Sequence, residues 1–373
     1  MIYAMILAGG GGTRLWPESR QKRPKQFVRL SSEETLLTQT FLRLDPLVPP
    51  NRILIVTREE FLPLVHESLP SFPETNILAE PVPRNTAPAI GYAALEVTAR
   101  QEEGILIVVP ADQKIEPTER FQETLRRAVA LVREDPKRVV TLGIHPNRPA
   151  DGYGYMKLGE AVNSKGAAPP AGGPIGAFHL VRFCEKPDAV TAQRYLDEGG
   201  YLWNSGIFIA RASRFLELLA EHQPEISSGL DRLRPLLRQT NKRAEITAVY
   251  EALPSISIDY GVMEKADCVV TLVADFSWSD VGSFEAFDAD IAADHQGNRV
   301  RGIRLAALDS HNNHIRWKID QGGDPETLLA MIDVDDLQVI RQGNVLLITR
   351  KGNDRKITTL LDQLTELGLE DYR

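Results

Sequence analysis

Short runs of Ile, Leu and Val without polar alternation recur through the first part of the chain. Ile2–Ala8, Ile53–Val56, Ile77–Ala79, Ile105–Val109 and Val139–Leu142 have the pattern of strands buried on both faces of a parallel sheet. Between them the apolar positions change to helical spacing. Ala87, Ile90, Ala94 and Val97 share one face, as do Phe121, Leu125, Val129 and Val132. Strand and helix in alternation predict an open α/β sheet with right-handed crossovers.

The regularity breaks after Pro146. Residues 151–156 are turn-rich, and the Gly/Pro/Ala tract at 164–174 predicts an exposed hairpin loop. Strand patterns return at Leu180–Cys184, Gly206–Ala210 and Val269–Val273. Helical ones return at Val190–Leu196, Phe215–Ala220 and Phe284–Ala292. Residues 298–350 read as short strands parted by turns such as Gly322–Gly323 and Gly343–Asn344, and Thr358–Leu367 as a last amphipathic helix. The expected organisation is an α/β domain of residues 1–292 and a small β-rich domain of 293–373 ending in a helix. The C-terminal strands are too irregularly spaced to predict a solenoid.

Composition changes this picture little. A length of 373 residues suits two domains. Lys+Arg 43 against Asp+Glu 51 gives a net charge of −8, which argues against a general binder of nucleic acid or of anionic membranes but leaves room for a local basic pocket. Cys184 and Cys268 are the two cysteines, too few for a disulfide framework or a Cys-rich zinc site. The apolar opening run is short, has no positive charge before it and is followed by four glycines, so it reads as a strand rather than a signal peptide. No apolar stretch approaches the ~20 residues of a membrane span, and the cytoplasm is the expected location.

The candidate chemistry starts at residues 7–27, LAGGGGTRLWPESRQKRPKQF. Consecutive glycines let a backbone turn tightly and present N–H groups to an anion. Arg14 and Lys25 could then neutralise a polyphosphate. The P-loop ending Gly-Lys-Ser/Thr is missing, and Arg14 stands where a dinucleotide fingerprint needs its third glycine.

This segment resembles the N-terminal signature of the sugar-1-phosphate nucleotidyltransferases, Gly-Gly-x-Gly-Thr-Arg-Leu-x-Pro followed by Lys-Pro-Lys, here Arg23-Pro24-Lys25. The resemblance implies a Rossmann-like, glycosyltransferase-A-like domain around a mixed, mostly parallel sheet. It implies that Leu7, Ala8, Gly9, Gly10, Gly11, Gly12 and Thr13 line a nucleotide, with Arg14 and Lys25 on its phosphates.

Residues 80–90, EPVPRNTAPAI, follow a strand and open a helix, with Asn85 or Thr86 as N-cap and Pro88 in the first turn. Guanine offers N–H donors at N1 and N2 and an acceptor at O6. Glu80 could take the donors and a backbone N–H near Asn85 could serve O6. The string resembles the Arg-Asn-Thr-Ala-Pro-Ala-Ile segment of the mannose-1-phosphate guanylyltransferases; relatives using uridine or thymidine nucleotides typically differ here. Glu80, Arg84, Asn85, Thr86 and Pro110 are the implied nucleotide contacts.

Asp112, after VVPA, ends a buried strand where open α/β sheets place ligands, and its carboxylate suits Mg²⁺. The resemblance pairs it with Asp280 of SWSDVGS as the metal-holding residues, although Gln113 stands where a histidine is common. Tyr153, Gly154, Glu185, Lys186, Asn204 and Asp259 follow in family order as sugar-phosphate contacts. The implied activity is transfer of GMP from GTP to mannose 1-phosphate with Mg²⁺ as cofactor. Small molecules are then the expected partners, with neither nucleic acid nor membrane, and a homodimer is left open. Alternatives are another sugar-1-phosphate nucleotidyltransferase, such as one for manno-heptose 1-phosphate, or a non-catalytic nucleotide-sugar-binding regulator. A dinucleotide-dependent oxidoreductase is disfavoured by Arg14. His311 and His314 read as a polar turn, not as metal ligands.

Overall fold

The computed structural model describes residues 1–29, 33–162, 176–237, 239, 242–284, 291–318, 327–354 and 356–373. The tract at 164–174, the Gly322–Gly323 turn and most of the expected helix at Phe284–Ala292 lie outside the described residues. The chain divides into two compact units that alternate along the sequence. One is Met1–Gly9 with Leu37–Trp278, the other Gly10–Leu36 with Ser279–Arg373.

The first unit is built on β1 (Ile2–Leu7), β2 (Ile53–Arg58), β3 (Ile77–Glu80), β4 (Ile105–Pro110), the short β5 (Lys114–Glu116), β6 (Val139–Ile144), β7 (Tyr155–Ala161), β8 (Ala177–Cys184), β9 (Tyr201–Arg211) and β10 (Val269–Val273). All but β5 join one nine-stranded sheet in the order β3-β2-β1-β4-β9-β6-β10-β8-β7, with β7 also pairing β9. Strands β8 and β9 run against the other seven. The sheet is therefore mixed and mostly parallel, in agreement with the expected class. The sequences IYAMIL, ILIVTR, ILIVVP and VVTLGI are buried almost end to end, as interior parallel strands require.

The helices of this unit are α1 (Leu36–Leu44, whose first residue belongs to the other unit), α2 (Leu62–Ser68), α3 (Thr86–Arg100), α4 (Thr118–Glu134), α5 (Ala189–Glu198), α6 (Ala212–His222), α7 (Pro224–Leu233) and α8 (Arg243–Glu251). Helix α3 lies close on α6 and α7 because Gly91 has no side chain; a Cβ there would collide with Leu230 and come within 3.0 Å of Leu219. The carboxyl ends of β1 and β4 are locked together, with Leu7 opposite Pro110 and the Ala111 N–H donating to Leu7 O at 2.9 Å.

After β11 (Ser277–Ser279) the second unit contains β12 (Arg299–Arg301), β13 (Arg304–Leu308), β14 (His314–Lys318), β15 (Leu328–Ile332), β16 (Leu337–Gln342), β17 (Val345–Arg350) and α9 (Lys356–Glu366). Strands β12, β14 and β16 pair in parallel, as do β13 and β15. This is a short parallel solenoid. Arg299 faces His314 and His314 faces Gln338, steps of 15 and 24 residues; unequal steps hide the repeat in the sequence. An asparagine ladder ties the turns together. Asn313 donates from N and Nδ2 to Asn298 Oδ1 at 2.9 and 3.0 Å, and accepts from Leu337 N at 2.9 Å.

Alternate positions on β14 and β16 face opposite ways. Ile315 and Val339 fill the solenoid interior with Met331. Arg316 and Ile340 point to the other side, toward residues 15–28 and Leu36. Leu15, Trp16, Val28 and Leu36 share a buried cluster with Ile340, Val345, Leu347, Ile357 and Leu361. Within this packing Arg316 donates from Nε and Nη2 to Glu18 Oε1 and Oε2 at 2.7 and 3.1 Å, the side chains being 5% and 2% exposed. Trp16 Nε1 donates to Tyr372 O at 2.6 Å. Removing one member of a buried pair strands the other charge. Arg316→Met is expected to lower the unfolding free energy of this unit by ~3–5 kcal/mol, and adding Glu18→Leu to restore most of it, by denaturant titration. A single variant as stable as the parent would contradict this.

Candidate active site

In the first unit, several expected residues gather at the carboxyl ends of β1, β3 and β4. Thr57 donates to Ala8 O at 3.0 Å and Arg58 Nε to Gly9 O at 2.9 Å, holding the chain where it leaves β1. Glu80, the last residue of β3, is only 5% exposed. Its Oε1 accepts a 2.6 Å bond from Tyr250 OH, and its Oε2 lies 3.1 Å from where a Gly9 Cβ would be. Burial pushes the Glu80 carboxyl up to about 7, against the hydrogen bond from Tyr250 and the positive charge of Arg58. Asp112 is half-buried two residues beyond Pro110. Next to it Gln113 is buried and donates from Nε2 to Ser205 O at 2.5 Å.

The start of α3 is engaged within the protein. Asn85 is the N-cap, and its side chain accepts from Thr86 N at 2.9 Å. Ala87 N donates to Ile256 O at 3.1 Å, and Ile258 N donates to Thr86 Oγ1 at 2.8 Å. Arg84 bonds the carbonyls of Tyr250 and Glu251. An amide for guanine O6 is therefore not that of Thr86 or Ala87.

The expected sugar-phosphate residues converge on β7, β8 and β9. Asn204 N donates to Gly154 O at 2.8 Å, while Asn204 Nδ2 donates to Asp259 Oδ1 at 2.9 Å. Thr141 Oγ1 and Gly206 N both donate to Asn204 Oδ1 at 3.1 Å, which fixes the amide. The missing side chain of Gly154 leaves room for the Glu185 carboxylate, which a Cβ there would push aside. Lys186 Nζ sits 3.1 Å from Glu185 Oε1. Tyr153 packs edge-on against Trp203 and Trp278 with Arg148 over its ring. Burial and the neighbouring Glu185 hold the Asp259 carboxyl well above the usual carboxylate range; burial likewise raises Glu185. Two facing acids with a lysine beside them make a strong set of acceptors for sugar hydroxyls with one cation for an anion.

The second unit holds the other expected residues. Gly12 is left-handed at φ 49, and a Cβ on it would meet Lys25 Cγ at 2.8 Å and Lys25 N at 3.0 Å. Gln26 Nε2 donates to Gly10 O at 2.9 Å and Ser19 Oγ to Gly12 O at 2.5 Å, so the loop is braced from below. Arg14 is exposed on a single 3₁₀ turn, Thr13–Leu15. Lys25 Nζ donates to Asp280 O at 2.7 Å, which brings two of the expected catalytic residues together. The Asp280 carboxylate accepts from Gly282 N at 3.2 Å.

Left-handed residues other than glycine mark the same places. Apart from Asp and Asn at solenoid turns, those described are Asn85, Lys186 and Val281, at φ 66, 46 and 48. A β-branched residue in this region is strained, and Val281 directly follows Asp280. Such strain gathers where a side chain must be aimed.

The Asp259–Glu185 repulsion also makes a stability prediction. A carboxyl whose folded pKa is raised makes the fold progressively less stable as pH climbs from the unfolded pKa to the folded one. Asp259→Asn keeps the oxygen that Asn204 bonds and removes the charge. It is expected to match the parent near pH 4 and to be more stable by ~1–2 kcal/mol near pH 8, by thermal unfolding. A gain that does not grow with pH would contradict the coupling.

The Nucleotidyl transferase family description matches residues 3–296. XanB, a xanthan biosynthesis protein of Xanthomonas campestris pv. campestris (strain B100), is 35% identical over 98% of this chain and 74% of its own length. A mannose-1-phosphate guanylyltransferase of Escherichia coli is 34% identical over 100% of this chain and 76% of its own. Among solved structures, a Thermus thermophilus protein described as a mannose-1-phosphate geranyltransferase is 33% identical with TM-score 0.82, covering 98% of this chain and 99% of that one. From its glycine loop to its clustered acids, the chain belongs to the nucleotidyl transferase family.

Proposed function

We propose that this protein transfers GMP from GTP to α-D-mannose 1-phosphate, forming GDP-mannose and diphosphate. The observation that carries the reading is the Gly154–Glu185–Lys186–Asn204–Asp259 cluster, intact in a chain similar along its whole length to relatives named mannose-1-phosphate guanylyltransferase.

A phosphate oxygen of the sugar attacks the α-phosphorus of GTP. The bond from that phosphorus to the bridging oxygen breaks, and diphosphate leaves with the electron pair. The sugar phosphate is already ionised at neutral pH, so no general base is needed. The protein contributes position and charge. Glu80 accepts the guanine N–H donors. Gly10, Gly11 and Gly12 present amides, and Arg14 and Lys25 offset the charge gathering on diphosphate. Lys186 holds the attacking phosphate, while Glu185, Asn204 and Asp259 hold the sugar hydroxyls.

Mg²⁺ is the proposed cofactor, assigned to the carboxylates of Asp112 and Asp280. Their oxygen donors suit an ion that keeps several waters and takes its other oxygens from phosphates. When bound it would withdraw charge from the phosphate oxygens. A cytoplasmic enzyme with small-molecule partners completes the proposal; no helix among the described residues is long and apolar enough to cross a membrane.

The test is diphosphate release with Mg²⁺, crossing GTP, ATP, UTP and dTTP with mannose 1-phosphate and glucose 1-phosphate. Release that is greatest with GTP and mannose 1-phosphate is expected. Preference for another base would overturn the role of Glu80, and preference for glucose 1-phosphate the reading of the sugar cluster. Folded protein that releases nothing would leave a binding protein.

A further inference from the structure

Tyr250 is the one fully buried residue of α8, with Ile246 and Val249 half-buried against the same core at helical spacing. It is fully enclosed, and its ring packs edge-on against Tyr92 of α3 at 6.0 Å. The stretch it belongs to braces the 80–87 segment throughout. Arg84 is bonded to the Tyr250 and Glu251 carbonyls, Ala87 to Ile256 and Thr86 to Ile258. The only polar atom of its side chain donates to Glu80 Oε1, while Glu80 Oε2 faces Gly9.

We infer that Tyr250 is the positioning residue for base selection: its hydroxyl fixes one oxygen of the Glu80 carboxyl and so aims the other at a guanine lying against Gly9. The inference rests on the proposed role of Glu80 as guanine acceptor. A carboxylate pinned at one oxygen cannot swing to suit a different donor pattern, and a base without the matching N–H groups leaves it buried and unpaired. The bond also favours the ionised acid. Burial raises Glu80, whereas Tyr250 and Arg58 oppose that rise. Tyr92 is the further titratable group coupled to Glu80, and burial holds both tyrosines above their ordinary value, so Tyr250 stays a donor.

The experiment compares steady-state kinetics of the parent, Tyr250→Phe and Glu80→Gln with GTP and with inosine triphosphate, which lacks the 2-amino group, between about pH 6 and 9. For the parent, KM for GTP should fall as pH rises through about 7, where Glu80 ionises. Tyr250→Phe should raise KM for GTP about tenfold at neutral pH and shrink the preference over inosine triphosphate. It should also move the fall in KM to higher pH and leave KM for the sugar phosphate unchanged. In a Glu80→Gln background, Tyr250→Phe should add little to either effect. A parent selective for GTP with a Tyr250→Phe variant that keeps its KM, pH midpoint and base preference would overturn the role of Tyr250 alone. A parent that prefers another base would overturn Glu80 and Tyr250 together.

Discussion

Glu18 and Arg316 meet as a two-point ion pair with almost no solvent on either side chain. Water stabilises separated ions so well that such a pair survives burial only when both partners are held in register. Here the register comes from a solenoid strand on one side and the segment after the glycine loop on the other. The packing of Leu15 and Trp16 with Ile340 and Leu347, and the bond from Trp16 to the Tyr372 carbonyl, belong to the same arrangement. Gly10–Gly12, Arg14 and Lys25 therefore ride on the compact unit formed with the C-terminal residues, although they sit near the start of the chain. The C-terminal strands are in this sense the support of the residues proposed to handle the phosphates.

The first unit follows a different electrostatic logic. Glu80, Glu185 and Asp259 all sit where burial makes ionisation harder, and each is held in place by a neutral donor or a neighbouring cation. Such groups cost stability in the empty protein and are relieved by a ligand that brings N–H or O–H donors. In the proposed reaction, specificity for base and sugar would then have one physical origin, the penalty of leaving a buried acid without its partner.

The legible parts of the sequence are those whose signals are local. Strands β1 to β4, β6 and β10 appear as apolar runs within a residue or two of their ends, and the site segments appear as contiguous strings. Strand β9 is longer than its apolar run because Asn204 and Ser205, polar in sequence, are buried through bonds to Thr141, Gln113 and Asp259. Helix α7 carries a helical spacing in Ile226, Gly229, Leu230 and Leu233 that was there to be read. Helix α8 sets Ile246, Val249 and Tyr250 against the core at helical spacing, a signal only one turn long among charged neighbours. The decisive pairings are remote: Tyr250 lies 170 residues from Glu80, and Arg316 lies 298 from Glu18. Neither is marked by any neighbouring residue.

In the proposed reaction the chemistry asked of the side chains is to place and neutralise charge, with the sugar phosphate attacking GTP directly. Lys25 tests that claim most sharply, because a lysine amine could instead take the nucleotide covalently. The decisive measurement is the stereochemical course at the α-phosphorus, using GTP with one sulfur of defined configuration at that position and mannose 1-phosphate as acceptor. A single in-line displacement predicts inversion in the sulfur-labelled GDP-mannose. Retention would mean two displacements through an enzyme-bound nucleotide, and would contradict the account.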